Sequence, residues 1–237
     1  MLTTIAPPVA DIAVLNEMEA AAVIAQLFAL RSQWIARNLY APFYTLGAAS
    51  YLDAVGPTSW RYKAWALEQN SILREHFSPL YDRVFNAIED WTGERAQYAP
   101  ELALPGFHIY LSSPLFEKPV ASIHFDSQFN LHPWPDGADL DHPISFTLSV
   151  ALPKSGGGLL TWDFPKSEIA GKTNQEIAGL ATAQNAELHP YTLGHLAMHS
   201  GNLLHQAAPG RNLGPDDMRI TLQGHGIRVN GTWQLYW

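Results

Sequence analysis

The sequence predicts an α+β protein in which an N-terminal helical part covers one face of a mostly antiparallel β-sandwich or jelly roll. Apolar residues recur at helical spacing up to residue 95, and the pattern changes to strict alternation near residue 105. A run of helices followed by a run of strands is typical of this class. Residues 93–105 do not have the composition of a flexible linker, so residues 1–237 are predicted to form a single domain.

The helical part is residues 1–95. Within residues 11–37, apolar side chains follow one another three or four positions apart, which predicts one helix face. A second helix is expected from Thr58-Ser59, because both residues are good N-caps. Ser78-Pro79 is expected to begin another helix, and Gly93 to end it.

The second part, residues 105–237, carries the strand signals. Apolar and polar residues alternate, so each strand is predicted to have one buried face. Asn230-Gly231 is the strongest hairpin signal of the chain. The predicted elements are strands at 107–112, 120–128, 144–152 and 218–228, a strand-turn-strand unit at 194–209, a tight connection at 156–158 and one helix at 174–184.

Composition excludes several classes of function. The net charge is −8 with 14 basic residues and no basic run, so nucleic-acid binding is not expected. No stretch is apolar enough to span a membrane, and no basic-then-apolar leader is seen at the N-terminus, so a cytoplasmic protein is expected. The chain has no cysteine, which excludes disulfides and thiolate metal sites. Any metal must therefore be held by histidine and carboxylate side chains.

One face of the predicted strand 120–128 carries polar side chains, namely Ser122, His124, Asp126 and Gln128. The Cα atoms of His124 and Asp126 are about 7 Å apart in strand geometry, so both side chains can reach one small cation. Neutral imidazole with carboxylate suits Fe(II), Mn(II) or Zn(II). A His-x-Asp pair is a weak signal alone in a chain with 10 histidines and 22 acidic residues, and its position on an alternating strand strengthens it.

A third ligand would have to come from further along the chain. Arg219 follows His205 at a distance of fourteen residues and shares a predicted strand face with Thr221, Gln223 and His225. The candidate third ligands are His132, His142, His189, His195, His199, His205 and His225.

This order of His-x-Asp, a long gap, a Gly-rich strand, a histidine and a downstream arginine resembles the Fe(II)/2-oxoglutarate-dependent oxygenases. The resemblance covers roughly residues 105–228 and includes Gly157-Gly158-x-Leu-x-Trp162. It implies a double-stranded β-helix with Fe(II) on His124, Asp126 and His205, the last being favoured over His199. It also implies that Arg219 binds the distal carboxylate of 2-oxoglutarate with the assistance of Thr221.

The resemblance implies an enzyme that oxidises an unactivated C–H bond and releases succinate and CO2. The co-substrate is O2, and the expected substrate is a small molecule such as an amino acid or a biosynthetic intermediate. Hydroxylation, desaturation and cyclisation share the first step. The alternatives are a protein side-chain hydroxylase, a cupin-like metal enzyme that does not use 2-oxoglutarate, a zinc hydrolase and a jelly-roll binding module without catalysis.

Other residues are candidates by position. Tyr110 is expected near the co-substrate, and His108, Gln128, Trp134 and Trp162 near the substrate, although the aromatic residues could equally serve as core packing. Residues 127–142 contain two prolines and Asp136-Gly137, which predicts a loop. Because this loop leaves the metal-binding strand, we expect it to cover the substrate.

Overall fold

A computed structural model of the chain describes residues 8–119, 121–164, 166–169 and 171–237. The helices are α1 (Glu17–Ala29), α2 (Ser50–Asp53), α3 (Tyr62–Thr92), α4 (Lys166–Ile169) and α5 (Asn174–Thr182). The strands are β1 (Val9–Ala13), β2 (Ile35–Ala36), β3 (Phe43–Leu46), β4 (Arg95–Tyr98), β5 (Gly106–Leu111), β6 (Ala138–Ala151), β7 (Leu159–Trp162), β8 (Glu187–His189), β9 (His195–Ser200), β10 (Leu204–Ala207), β11 (Met218–Val229) and β12 (Thr232–Tyr236).

The strands form two sheets. The large sheet has nine strands in the order β1-β9-β6-β11-β5-β3-β2, with β12 paired to β11 and β4 paired to β12. The small sheet has the order β10-β7-β8. Among the described strands only the β12–β4 pair is parallel, so the prediction of a mostly antiparallel architecture with helices is confirmed.

The main core lies between the apolar face of the large sheet and two helices. Ile220 and Leu222 of β11 are fully buried on this face, as the alternation predicts. They belong to one apolar cluster with Leu27 of α1 and with Leu73 and Ile88 of α3. Burial of an aliphatic side chain contributes about 1.5–3 kcal/mol, so this layer fixes the orientation of the sheet. The other face of the same strands is free to carry polar groups.

The N-terminal part differs from the helical prediction, because residues 9–13, 35–36 and 43–46 are strands. The first helix begins only at Glu17, where a capping box fixes it. The Asn16 side chain accepts a hydrogen bond from the Glu19 amide, and the Glu19 carboxylate accepts one from the Asn16 amide. The preceding residues lie along β9 as an edge strand, with Ile12 opposite Leu196. The apolar residues before Glu17, whose spacing predicted a helix, therefore belong to a strand that pairs with β9.

The helix boundaries near residues 58 and 78 also differ from prediction. Residues 56–61 form a 3-10 helix, and α3 begins at Tyr62. Ser78-Pro79 does not begin a separate helix, but the backbone of Phe77 is non-helical (φ −132°, ψ 15°) and kinks α3 two residues before the proline. A proline inside a helix removes one hydrogen bond and clashes with the preceding turn, which explains a kink here. Gly93 ends α3 in the left-handed conformation (φ 68°), as expected.

Residues 121–128 are not a continuous strand, and Val120 lies outside the described residues. His124 forms an isolated antiparallel bridge with His205, and Gln128–Leu131 is a 3-10 turn. The Asn230-Gly231 hairpin is present, with φ values of 50° and 82° at the two turn positions. Gly156, Gly157 and Gly158 all have positive φ, as the tight connection requires. No helix in the described part of the chain is long and apolar enough to cross a membrane.

Candidate metal centre

The polar face of the large sheet is built from alternate residues of neighbouring strands. On β11, Arg219, Gln223 and His225 alternate with the buried Ile220 and Leu222. Strand pairing extends this face sideways in both directions. Arg219 is opposite Tyr110 and Thr221 is opposite His108 on β5, while His225 is opposite Ser145 on β6 and Ser145 is opposite His199 on β9.

Three possible metal ligands meet in front of this face. One side-chain donor atom from each of His124, Asp126 and His205 lies within 4.8 Å of the others. The Asp126 carboxylate is central. Its Oδ1 is 3.6 Å from His124 Nε2, and its Oδ2 is 3.6 Å from His205 Nε2. Metal–ligand bonds of about 2.1 Å at right angles place donor atoms about 3 Å apart, so small side-chain rotations suffice to close all three onto one ion.

Both imidazoles are oriented by backbone carbonyl groups. His124 Nδ1 donates to the Ser122 carbonyl oxygen at 2.8 Å, and His205 Nδ1 donates to the Leu203 carbonyl oxygen at 2.9 Å. A proton on Nδ1 leaves the lone pair of the neutral ring on Nε2, which faces Asp126. Metal-binding histidines are commonly held in this way, by a hydrogen bond to the nitrogen that does not bind the metal. The donor set therefore fits a divalent ion that accepts nitrogen and oxygen ligands.

The electrostatics keep the carboxylate charged. Burial acts to raise the pKa of Asp126, but the imidazoles of His205, His225 and His124 outweigh it and hold the pKa well below its usual range. Burial lowers the pKa of His205 to about 4, against the attraction of Asp126, so this ring is neutral at pH 7. At His124 burial also acts downward, yet the hydrogen bond and charge of Asp126 raise the pKa above its ordinary value.

A cavity of about 800 Å³ lies over the three donors and between the two sheets. Its walls include Tyr110 and Arg219 of the large sheet and Ala207 of the small sheet. The guanidinium of Arg219 stacks on the Tyr110 ring, with 4.4 Å from its central carbon to the ring centroid, and donates to the Ala208 carbonyl at 3.2 Å. No carboxylate of the described residues lies within ion-pair distance of Arg219, so the cavity offers a half-buried cation without a counter-ion.

The remaining candidates differ in position. His108, Tyr110 and Gln128 line the cavity together with the three donors and Arg219. Thr221 is fully buried under this wall and accepts a hydrogen bond from Gln223 Nε2 at 3.2 Å. Gln128 Nε2 donates to Asp126 Oδ1 at 3.2 Å. Although the backbone turns at this point, the Gln128 side chain therefore still reaches the carboxylate.

The two tryptophans lie outside the cavity wall. Trp134 packs edge-on against Tyr236 and donates its indole N–H to the Phe129 carbonyl at 2.9 Å. Trp162 is buried under α5, where its indole N–H donates to the Ala181 carbonyl at 2.9 Å. In the predicted loop 127–142, four residues from Ser127 to Leu131 line the cavity, whereas residues 138–142 already belong to β6.

Two further histidines of the cavity are candidate third ligands in the sequence and lie outside the group of three donors, and Tyr191 is a cavity residue that the sequence does not single out. His199 Nδ1 donates to the Ser200 carbonyl at 2.8 Å, and its ring centroid is 4.8 Å from that of His205. His225 Nδ1 is 3.9 Å from Asp126 Oδ2 and within hydrogen-bond distance of Ser145 Oγ, at 3.2 Å. Tyr191 enters from the segment before β9. Strand alternation predicts that His225 lies on the same face of its strand as Arg219. It does not predict which strands are neighbours in the sheet, so it could not place His199 or Tyr191 in the cavity.

Comparison with known proteins relates the fold to one group of enzymes. No family model and no curated protein sequence matches the chain. Among solved structures, an N-substituted L-amino acid dioxygenase from Burkholderia ambifaria AMMD in complex with α-ketoglutarate matches at TM-score 0.58 and 12% identity, over 97% of this chain and 86% of that chain. The non-haem α-ketoglutarate-dependent epimerase SnoN from nogalamycin biosynthesis matches at TM-score 0.52 and 12% identity, over 94% and 81%.

AviO1 from Streptomyces viridochromogenes Tue57 matches at TM-score 0.50 and 13% identity, over 92% of this chain and 88% of that chain. Each match extends over nine-tenths or more of the present chain, so the similarity includes the helical part as well as both sheets. At 12–13% identity the similarity is one of fold. The chain thus has the fold of the non-haem, 2-oxoglutarate-dependent oxygenases, with a His-Asp-His group in its central cavity.

Proposed function

We propose that this chain is a non-haem Fe(II)- and 2-oxoglutarate-dependent dioxygenase that oxidises an unactivated C–H bond of a small molecule. The observation that carries the proposal is the combination, in one cavity, of a His-Asp-His donor set with an arginine that has no carboxylate partner. The fold of known enzymes that depend on α-ketoglutarate supports it. Hydroxylation is the simplest outcome, and desaturation or cyclisation would use the same first step.

His124, Asp126 and His205 would hold the iron. Three donors on one side of an octahedral ion leave three positions for the keto acid and O2. When bound, Fe(II) with 2-oxoglutarate and O2 supplies the oxidising power, and succinate and CO2 are released. The chain contributes the position of the donors, their neutral or charged states and a cavity that limits access of water.

Arg219 would bind the distal carboxylate of 2-oxoglutarate. A planar guanidinium can donate two parallel hydrogen bonds to a carboxylate, which fixes the orientation as well as the position of the acid. The Tyr110 ring below it holds the guanidinium plane, because a cation is attracted to the face of an aromatic ring. Thr221 lies beneath the wall and would assist through Gln223 rather than by direct contact.

We also infer that the two sheets form a double-stranded β-helix within a single domain of residues 1–237. The support is that strands of both sheets contribute to one cavity, since His205 lies on the small sheet and Arg219 on the large sheet. The elongated strand β6 and the short strand β10 therefore act as opposite walls of the same site.

An anaerobic titration tests the proposal. Addition of Fe(II) and then 2-oxoglutarate to the purified protein is expected to produce the weak visible charge-transfer band of an iron–keto acid chelate, with one iron per chain. His124→Ala is expected to abolish the band. A cupin-like enzyme would show activity that ignores 2-oxoglutarate and tolerates Arg219→Ala, and a zinc hydrolase would need no O2. Absence of the band in the wild-type protein would overturn the proposal.

A further inference from the structure

The charge of the cavity restricts the substrate, given the proposed function. Among the described residues that line the cavity, Asp126 is the only carboxylate and Arg219 the only permanent cation. The first would be engaged by the iron and the second by 2-oxoglutarate. Arg37 and Asp53, which act electrostatically on Tyr51 of the cavity wall, are paired with each other by two hydrogen bonds of 2.7 Å each. No further charged group of the described cavity wall is left for the substrate.

A charged substrate would therefore lose the hydration of its charged group without gaining an ion-pair partner in the cavity. Moving a carboxylate or an ammonium group from water to the buried wall beside the donors without a partner is strongly unfavourable. A free amino acid carries a carboxylate and an ammonium group, and both would lack a partner in the cavity. An uncharged molecule loses only hydrogen bonds to water, which the uncharged polar side chains of the wall can replace.

One of these side chains has an unused acceptor. Gln128 donates its amide N–H to Asp126 Oδ1, and its Oε1 atom is buried without a hydrogen-bond partner among the described residues. A buried acceptor left unpaired is unfavourable, so a hydrogen-bond donor on the substrate would stabilise the complex. Gln128 itself lines the cavity beside the metal ligands, so a small rotation of its amide would bring Oε1 to a substrate bound there.

The size of the cavity also favours a substrate larger than a free amino acid. Its volume of about 800 Å³, which the iron and 2-oxoglutarate would share with the substrate, lies within the range for drug-sized ligands, about 300–1,000 Å³. Other parts of the wall are aromatic or aliphatic and include the Tyr51, Tyr191, Val55 and Ile177 side chains. The Tyr51 hydroxyl lies 2.6 Å from His108 Nε2, so this part of the wall is already paired and presents mainly ring surface.

We propose that the substrate is an uncharged molecule, larger than a free amino acid, that donates a hydroxyl or amide N–H group to Gln128 Oε1. Free amino acids and simple carboxylic acids are then poor ligands of the loaded enzyme. Within the broader expectation of an amino acid or a biosynthetic intermediate, this selects uncharged intermediates.

Three probes with one phenol in common test this inference. N-acetyl-L-tyrosinamide is uncharged, N-acetyl-L-tyrosine carries one carboxylate, and tyramine carries one ammonium group. Their affinities are measured by anaerobic calorimetry on protein loaded with Fe(II) and 2-oxoglutarate, after the visible band has shown that both are bound. That first step fails only if the proposed function fails, so the two ideas are tested separately. We expect the uncharged probe to bind at least tenfold more tightly than either charged probe.

A pair of variants tests the role of the side chain. Gln128→Leu is expected to weaken binding of N-acetyl-L-tyrosinamide by about tenfold, which is the value of one hydrogen bond. Asn130→Leu is the matched control, because Asn130 lines the same cavity from the same turn but is exposed. Equal affinity of the wild-type protein for all three probes, including no binding of any, would contradict the proposal. Equal effects of the two variants would also contradict it.

Discussion

The backbones of His124 and His205 are hydrogen-bonded to each other in both directions, with each amide nitrogen 3.0 Å from the carbonyl oxygen of the other residue. Residues paired in this way are about 5.5 Å apart at Cα, and their side chains leave the ladder on the same side. The Asp126 amide continues the pairing by donating to the Gly201 carbonyl at 3.0 Å. Backbone pairing therefore contributes to bringing the three donors together.

Removal of one donor is expected to prevent metal binding. His205→Ala should lower the affinity for Fe(II) by more than about 100-fold, because even partners outside the ligand set change affinity by 10–100-fold. His199→Ala is the matched control, since its ring is a neighbour of His205 but is not one of the three donors. The measurement is iron per chain after anaerobic desalting. Retention of iron by His205→Ala together with its loss in His199→Ala would reassign the third ligand.

Loss of the unpaired guanidinium is expected to weaken binding of 2-oxoglutarate specifically. Arg219→Ala should raise the KM for 2-oxoglutarate by at least about 30-fold, since truncating one partner of a buried charge pair costs about 2–5 kcal/mol. Arg219→Lys should recover only part of the loss, because a lysine cannot form two parallel hydrogen bonds. Arg211→Ala is the control, as Arg211 is an exposed arginine of the preceding turn. An unchanged KM in Arg219→Ala would place the co-substrate elsewhere.

Acid is expected to destabilise the fold through its buried neutral histidines. Burial, helped by the nearby Arg219 and Arg37, lowers the pKa of His108 to about 3, against an ordinary value of 6.5. Between these two values the unfolded chain binds the extra proton, so this contribution to stability is complete above about pH 6.5 and is lost as the pH falls toward 3. From pH 7 to pH 5 it amounts to about 2 kcal/mol.

Urea unfolding of the wild-type protein and of His108→Phe, each at pH 7 and pH 5, measures this contribution. The variant is expected to lose about 2 kcal/mol less than the wild type between the two pH values. Because the comparison is made within each protein, the loss of the hydrogen bond to Tyr51 cancels. The same pH dependence in both proteins would show that His108 is not buried in its neutral form.

One buried ion pair is expected to matter far more than an exposed one. Arg37 and Asp53 are 10% and 15% exposed, and their pairing holds α2, which carries Tyr51 to the cavity. Asp53→Asn should lower the free energy of unfolding by about 3–5 kcal/mol, because it leaves the buried guanidinium without its counter-ion. Glu101→Gln removes an exposed pair with Lys63 and should change it by less than about 1 kcal/mol. Urea unfolding of both variants decides between them, and equal effects would refute the distinction.

The sequence predicts those parts of the fold that depend on local periodicity. The alternation along β6 and β11 identifies both faces of the large sheet, and the Asn230-Gly231 turn has the left-handed conformation that this pair favours. The N-terminal strands were missed because the apolar pattern around Ile12 suits either element, and pairing with β9 decides between them. That pairing is a contact between distant parts of the chain, which no local pattern contains.

The site residues also differ in whether a local pattern or a contact between distant parts of the chain brings them into the site. His124, Asp126, His205 and Arg219 could be selected because their order and spacing resemble a known family, and the donor group brings the first three together. His199 lies near them only because β9 pairs with β6 and β6 with β11, which places it two strands away from His225. The sequence makes His199 a candidate third ligand, but sheet order is set by the whole fold, so its position beside the donors and not among them could not be predicted from a local pattern.

Alternate residues of β11 lie on opposite faces of the sheet, one in the core and one in the cavity wall. Even-numbered positions such as Ile220 and Leu222 support the helical layer, and odd-numbered positions such as Arg219 and Gln223 meet the cavity. A change at position 223 can thus alter what the cavity recognises while the packing that stabilises the protein stays intact. A scaffold of this kind can acquire a new binding specificity by single replacements that leave its core unchanged.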